Sequence, residues 1–263
     1  LFSLNLQTLT KFKSKMNIVV CISSVPDTTS KINFTENGSK FDSSSIQFVI
    51  NPYDEFGLTK AMMLKEKTAG NVMVITVGDA SVEPVMRKAL AIGADSAIRI
   101  NAKPTDSYFT ANAISTYLKE NPADLIIAGR ESIDYNGGAV SGMIAEMMNL
   151  PFVNACNGLE IDGNTAKLSR EIDGGKENLS ANLPLVIGGQ KGLVEESDLR
   201  IPNMRGIMQA RSKPLTVVEP SSNESLTSSE NFEKPAEKSA CKLVEAGNEA
   251  ELVSLLLSEA KVI

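Results

Sequence analysis

At 263 residues, 42% of them hydrophobic, and with a formal net charge of −6, the chain carries enough apolar surface for a full core and too little positive charge for general nucleic-acid affinity. It has no histidine, which removes imidazole as a general base, the serine and cysteine triads that depend on it, and the commonest metal ligand. Cys21, Cys156 and Cys241 stand far apart without a CxxC pair, so no zinc site or dithiol motif is spelled out, and free thiols in a reducing compartment are the simplest account.

No apolar run approaches the roughly 20 residues of a spanning helix, which points to a soluble globular protein without membrane insertion. Residues 1–16 include Lys11, Lys13 and Lys15 and no acid, and lack the apolar core of a secretion signal. They read as an upstream extension or a transit-peptide remnant, and the predicted fold begins at Asn17. Asn17 to Ile22 is a β-branched run that reads as a first buried strand, closed by Ser23, Ser24 and Pro26. Turn chemistry at Glu36-Asn37-Gly38 precedes an extended segment, Ser45 to Ile50. Pro52 keeps Asn51 out of the helical region, and a helix follows over Tyr53 to Lys67 with Phe56, Leu58, Ala61, Met62 and Leu64 on its apolar face.

The alternation then repeats. Asn71 to Val77 is a strand and Val82 to Ile92 a helix ending at Gly93. Ser96 to Ile100 is a strand, Asp106 to Glu120 a helix, Ala123 to Ala128 a strand and Gly138 to Asn149 a helix. Strands and helices joined this way predict a doubly wound, mostly parallel α/β sheet covered on both faces. After Pro151 the period changes to two around a turn at Asp162-Gly163-Asn164, and Asn178 to Ile187 continues it, so an antiparallel hairpin is added. Gly188 to Pro214 is irregular. Ser221 to Lys238 reads as an exposed linker to a last amphipathic helix over Asn248 to Ala260, which docks on a partner or packs back on its own domain. The predicted organisation is an α/β domain over 17–218, with a linker and terminal helix over 219–263.

The most informative stretch is Ala123 to Val140. An apolar run stops at Gly129, a polar loop follows, and Gly137 and Gly138 precede a helix. That is the layout of a nucleotide site at the carboxyl end of a parallel strand, where glycines admit a ligand close to the backbone and free amides meet a phosphate. The competing reading is an ordinary strand-to-helix turn capped by Asp134 or Asn136. A P-loop fails at Asp173-Gly174-Gly175-Lys176, because Glu177 replaces the hydroxyl that magnesium needs. A Rossmann fingerprint fails because the turn after the first strand, Ser23 to Asp27, has no glycine. No carboxylate pair or metal cluster stands out as an acid–base centre. The chain reads as a holder of a nucleotide rather than a hydrolase.

Five segments in order, Asn51 to Gly57, Ala89 to Asp95, Gly129 to Asp134, Arg170 to Gly175 and Gly206 to Arg211, resemble the β subunit of electron transfer flavoprotein, and the resemblance runs from Met16 to Ile263. It implies an adenine nucleotide α-hydrolase-like fold and an electron carrier with no catalytic site of its own. Such a subunit pairs with an α subunit that carries most of the FAD site, buries an AMP, and passes electrons from flavin dehydrogenases in fatty acid or amino acid oxidation to a quinone reductase or other acceptor. The implied compartment is the cytoplasm in a bacterium and the mitochondrial matrix in a eukaryote.

By position, the family's nucleotide contacts fall on Cys21, on Asn51, Pro52, Tyr53 and Asp54, on Val77, and on Gly129, Arg130, Glu131, Ser132, Ile133, Asp134, Tyr135, Asn136, Gly137, Gly138, Ala139 and Val140. Arg170 and Glu171 match the segment that approaches the flavin across the subunit interface, where a nearby cation stabilises a reduced flavin. Residues 198–211 match the recognition loop, with Met204 in place of the family's anchoring leucine and Arg200, Arg205, Ile207, Met208 and Arg211 around it; a flexible thioether repacks readily against different partners. Ala139 stands where family members often carry glutamine. Related flavoproteins that bifurcate electrons hold a second FAD where others hold AMP, and a free-standing adenine-nucleotide sensor is the third reading.

Overall fold

The computed structural model describes residues 15–222, 224–238 and 240–263; most of the stretch read as an amino-terminal extension lies outside the described residues. Met16, read as the last residue of that extension, is buried in the core, and its carbonyl accepts the Asn71 amide at 2.8 Å. Close contacts divide the chain into two units. One holds the chain up to Ile32 together with Asp42–Glu230, the other Asn33–Phe41 together with Asn231–Ile263.

The larger unit is built on a nine-stranded sheet. Its strands in chain order are β1 (Asn17–Cys21), β2 (Asn71–Val77), β3 (Ser96–Ile100), β4 (Leu125–Gly129), β5 (Phe152–Asp162), β6 (Thr165–Ile172), β7 (Gly175–Asn182), β8 (Leu185–Gly189) and β9 (Leu215–Val218). Their spatial order is β7-β6-β5-β8-β4-β1-β2-β3-β9. Every pairing from β5 to β9 in that order is parallel, and β6 and β7 extend the sheet as an antiparallel hairpin. The doubly wound expectation therefore holds, with the hairpin at one edge.

Two details differ from the sequence reading. The alternation that seemed to run to Ile187 ends at Asn182, and Leu185–Gly189 is a separate parallel strand between β4 and β5. All five of its residues are buried, and the unbroken apolar run Leu185-Val186-Ile187 is what a strand covered on both faces requires. β9 went unread because four residues between Pro214 and Pro220 give too short a pattern.

Five helices matter for function: α1 (Pro52–Thr68), α2 (Glu83–Ile92), α3 (Ser107–Glu120), α4 (Val140–Met148) and α5 (Met204–Ala210). α1 and α2 cover one face of the sheet, and the predicted Phe56, Leu58, Ala61, Met62 and Leu64 are all buried there. A Cβ on Gly57 would come within 2.7 Å of Ile127 Cγ2, so the glycine is what lets α1 lie close on β4. α3 and α4 cover the other face around Ile98, Phe109, Ile114, Ile126 and Ile144. Each fully buried apolar side chain of this kind contributes about 1.5–3 kcal/mol. α3 is capped by Asp106, whose Oδ1 accepts the Phe109 amide at 2.7 Å.

In the smaller unit, Phe34–Thr35 and Lys40–Phe41 form a two-stranded ribbon. Phe232 stacks on Phe34 with ring centroids 5.5 Å apart and donates its amide to Gly38 at 2.7 Å. The terminal helix spans Glu249–Leu255 and continues as a wider π-helical turn over Leu256–Ala260, with Leu252, Val253 and Leu257 exposed.

Candidate functional site

The order of strands decides where a ligand fits. From β1 the chain moves to β2 and β3 on one side and then returns to place β4 on the other. The loops leaving β1 and β4 therefore diverge, and the crevice between their carboxyl ends is the usual ligand position in an open α/β sheet. α1 reaches this point from one face and α4 from the other.

Asp54, in the first turn of α1, sits across the crevice and is 3% exposed. Its Oδ2 accepts the Ser23 amide at 2.7 Å beyond β1, and its Oδ1 accepts the Gly129 amide at 2.8 Å at the end of β4. Burial pushes its carboxyl up to about 7, while the Ser23 amide, the Asn51 side chain and the Gly129 amide draw it down. Asn51 is 1% exposed. Its Nδ2 donates to the Glu131 carbonyl at 2.9 Å, and its Oδ1 accepts the Ile133 amide at 3.3 Å. A Cβ on Gly129 would collide with Asp54 Oδ1 and approach Tyr53 Cβ to 2.8 Å, so the strand must end in glycine.

The loop after β4 folds on itself. Arg130 donates its amide to the Gly189 carbonyl at 2.8 Å, and Ser132 donates its amide to the Gly137 carbonyl at 3.1 Å. Asn136 turns the chain with φ 49°. The Arg130 guanidinium lies 5.9 Å from the centre of the Tyr53 ring and donates to Gln190 Oε1 at 3.1 Å. α4 then begins with no side-chain cap, so neither Asp134 nor Asn136 caps it, and Ala139 holds the cap position. The Ser141 hydroxyl in its first turn is buried and has no hydrogen-bond partner. An uncapped helix start beside an unpartnered hydroxyl, after a loop where a Cβ on Gly137 would find its nearest neighbour 4.0 Å away, suits an anionic group.

Cys21 and Val77 end β1 and β2 as buried members of the core on the α3–α4 side. Burial, with the Asp54 carboxylate, pushes the Cys21 thiol up, so it serves as apolar wall rather than nucleophile. Pro52 supplies the first residue of α1.

Other predicted residues lie elsewhere. Arg170 and Glu171 are on β6, where Arg170 Nε meets Glu177 Oε2 at 2.5 Å across the hairpin and Glu171 is in register with Lys176. Neither touches the β4 loop among the contacts of the described residues. Met204, Arg205, Ile207, Met208 and Arg211 gather on and just after α5, with Met204 75% and Met208 69% exposed. A Cβ on Gly206 would strike the Ala91 carbonyl, which fixes α5 closely on α2, and Arg87 donates to the Ala210 and Lys213 carbonyls at 2.7 and 2.9 Å. Arg200 stands apart from that exposed set, with its guanidinium bound by both Glu66 oxygens at 2.7 and 2.8 Å.

Two concavities lie outside the crevice. A groove of about 550 Å³ between α2 and α5 is lined by Pro84, Ala91, Pro202 and Ile207, and a cavity of about 310 Å³ at the ends of β3 and β9 is lined by Asn101, Lys103, Phe109 and Glu219. No group of acidic or cysteine side chains among the described residues is arranged to hold a metal ion. No helix among them is long and apolar enough to cross a membrane.

Sequence reasoning missed Ser23, Ser141, Gln190 and Gly189. Gly189 is in register with Gly129, and the run Leu185 to Ile187 followed by paired glycines repeated the signal already read at β4.

Residues 39–223 match the family model of the electron transfer flavoprotein domain. The chain is 36% identical to electron transfer flavoprotein subunit beta of Bacillus subtilis, across 94% of this chain and 100% of that one. It is 32% identical to the subunit of the same name from Syntrophomonas wolfei, across 93% and 95%. For the one from Mycobacterium tuberculosis the identity is 35%, across 77% and 78%.

Proposed function

The chain belongs to the electron transfer flavoprotein family, and on that premise we propose that it is the β subunit of a heterodimer that carries electrons from flavin dehydrogenases to a quinone reductase or other acceptor. It holds an AMP in the crevice between β1 and β4 and completes an FAD site whose larger part belongs to the α subunit. The setting is the cytoplasm if the chain is bacterial, as the relatives named above are, and the mitochondrial matrix if it is eukaryotic.

The observation that carries the nucleotide assignment is the uncapped start of α4 after a glycine-bearing loop at the strand-order reversal. There the first amides of α4 and the Ser141 hydroxyl would hold the phosphate, and Cys21 and Val77 would wall the crevice. Arg130, over the Tyr53 ring, bonded to Gln190 and 3.3 Å from the Glu131 carboxylate, would offer its guanidinium donors at the rim. FAD supplies the redox chemistry when bound. Arg170 would stand on the flavin side of the interface, its charge balanced by Glu177 in the absence of a partner. The exposed Met204 and Met208, with Arg205 and Arg211, would form the face that meets acidic dehydrogenase surfaces.

Co-expression with the cognate α subunit tests this: a yellow one-to-one complex with one FAD and one AMP is expected. Two FAD and no AMP would make the crevice a second flavin site. An isolated chain that binds adenine nucleotide reversibly and forms no complex would make it a sensor.

A further inference from the structure

α5 has almost no apolar hold on the domain it sits on. Over Met204–Ala210 every residue is exposed except Gly206, which is half-buried, and Ala210, which is buried. A helix of seven residues is too short to persist in water by itself, and one buried methyl group does little to hold it. Polar bonds at two helix ends take that place. Arg87, in the middle of α2, donates from one guanidinium nitrogen to the Ala210 carbonyl at 2.7 Å and the Lys213 carbonyl at 2.9 Å, where α5 ends. Lys213 reaches back, and its Nζ donates to the Leu90 carbonyl at 2.9 Å and the Ala94 carbonyl at 2.6 Å, where α2 ends. Carbonyls in the last turn of a helix lack an amide partner within it, and cations are favoured there. Each helix end is therefore closed by a cation carried on, or just past, the other helix. Gly206 completes the seat, since a Cβ there would strike the Ala91 carbonyl.

We propose that Arg87 and Lys213 form a reciprocal clasp and act as positioning residues for docking of the dehydrogenase. The clasp orders α5 before the partner arrives, so that the exposed Met204 and Met208 meet it already in place. Without the clasp the partner must order this segment as it binds, and the cost of fixing the backbone is taken from the affinity. The docked arrangement is the same in both cases, so the effect falls on association and not on the limiting rate of electron transfer. The inference rests on the reading that α5 is the face that meets the dehydrogenase.

The test uses the FAD-loaded heterodimer as the varied substrate of a flavin dehydrogenase that reduces the parent complex. Arg87→Met and Lys213→Met keep an unbranched side chain and remove its charge and donors. KM for the heterodimer should rise by about tenfold in each, with kcat within about twofold of the parent and flavin content unchanged. Arg87→Lys, which restores a donor, should recover part of the loss. Hydrogen exchange at the amides of residues 207–210 should accelerate by at least about tenfold in the two methionine variants while β3 keeps its protection. Combining Arg87→Met with Met204→Ala should raise KM no further than Met204→Ala alone, because the placing of α5 matters only while its anchor is present. Losses that multiply show Arg87 meeting the partner directly and overturn the proposal. A parental KM in both clasp variants beside a raised one in Met204→Ala overturns the clasp and leaves the docking face standing. An unchanged KM in Met204→Ala sinks the docking reading and this proposal with it. If neither clasp variant assembles, exchange in the parent decides: amides 207–210 as slow as those of α2 support the clasp, and exchange there at the rate of an unstructured chain refutes it.

Discussion

Gly129 and Gly137 bound the same loop, and replacing each by alanine separates two reasons for a glycine. At Gly129 the added Cβ lands on Asp54 Oδ1, 2.8 Å from Tyr53 Cβ and 3.0 Å from Asn51 Nδ2. None of these is a free side-chain end. Asp54 is held by two backbone amides, and Asn51 by the loop itself. Overpacking at such a position costs about 1–3 kcal/mol, and giving up a hydrogen bond adds about 0.5–1.5 kcal/mol, so Gly129→Ala should destabilise by roughly 1.5–4.5 kcal/mol. At Gly137 the nearest atom to an added Cβ is Ser107 Oγ at 4.0 Å, and stability should change by less than about 0.5 kcal/mol. Urea midpoints of the two heterodimers at one protein concentration, with nucleotide content measured on each, make the comparison. Gly137→Ala is expected to lower nucleotide content at parental stability. A Gly129→Ala complex within about 1 kcal/mol of the parent would refute the tight packing of α1 against the end of β4.

Three further outcomes follow from the geometry. Because burial raises the Asp54 carboxyl from 3.8 to about 7, the folded chain holds a proton there that the unfolded chain has released. That contribution is complete below about pH 4 and is lost as pH rises through 7, up to roughly 4 kcal/mol in all. Asp54→Asn removes it, so stability relative to the parent should shift in the variant's favour from pH 4 to 8 in urea titrations; a pH-independent difference means an Asp54 that stays ionised. Met204→Ala and Met208→Ala, at exposed positions, should leave the melting temperature and flavin content alone and cut the rate of reduction by a dehydrogenase by about tenfold or more. Equal rates would return α5 to a packing role. Arg200→Ala and Glu66→Ala should each cost no more than about 1 kcal/mol, and the double variant little beyond either, since they remove one partly exposed ion pair. Additive losses would mean that Arg200 acts elsewhere.

The sheet and its helices were legible because parallel strands need unbroken apolar runs and the covering helices need one apolar face. Leu125 to Ala128 and Phe56 to Leu64 satisfied both. β8 was hidden by its neighbour, because the period-two pattern of β7 runs into Leu185 with only Leu183 and Pro184 between. The region of the site was legible through Gly129 and Pro52, which mark where strand ends and helix begins. Its wiring was not. That Asp54 reaches Gly129 across 75 residues, or that Arg200 faces Glu66 across 134, is set by tertiary packing, and short-range patterns carry no trace of it.

Strand β8 has a bearing on how the chain is made. Residues 185–189 lie between β4 and β5, yet they follow the whole excursion of the hairpin. On a ribosome, the earlier strands therefore emerge with one flank of β4 open and unpaired, a sticky edge exposed until some sixty further residues have been synthesised. The carbonyl of Gly189 that anchors Arg130 arrives with this last central piece, so the ligand crevice is finished late in biogenesis, after most of the sheet beside it.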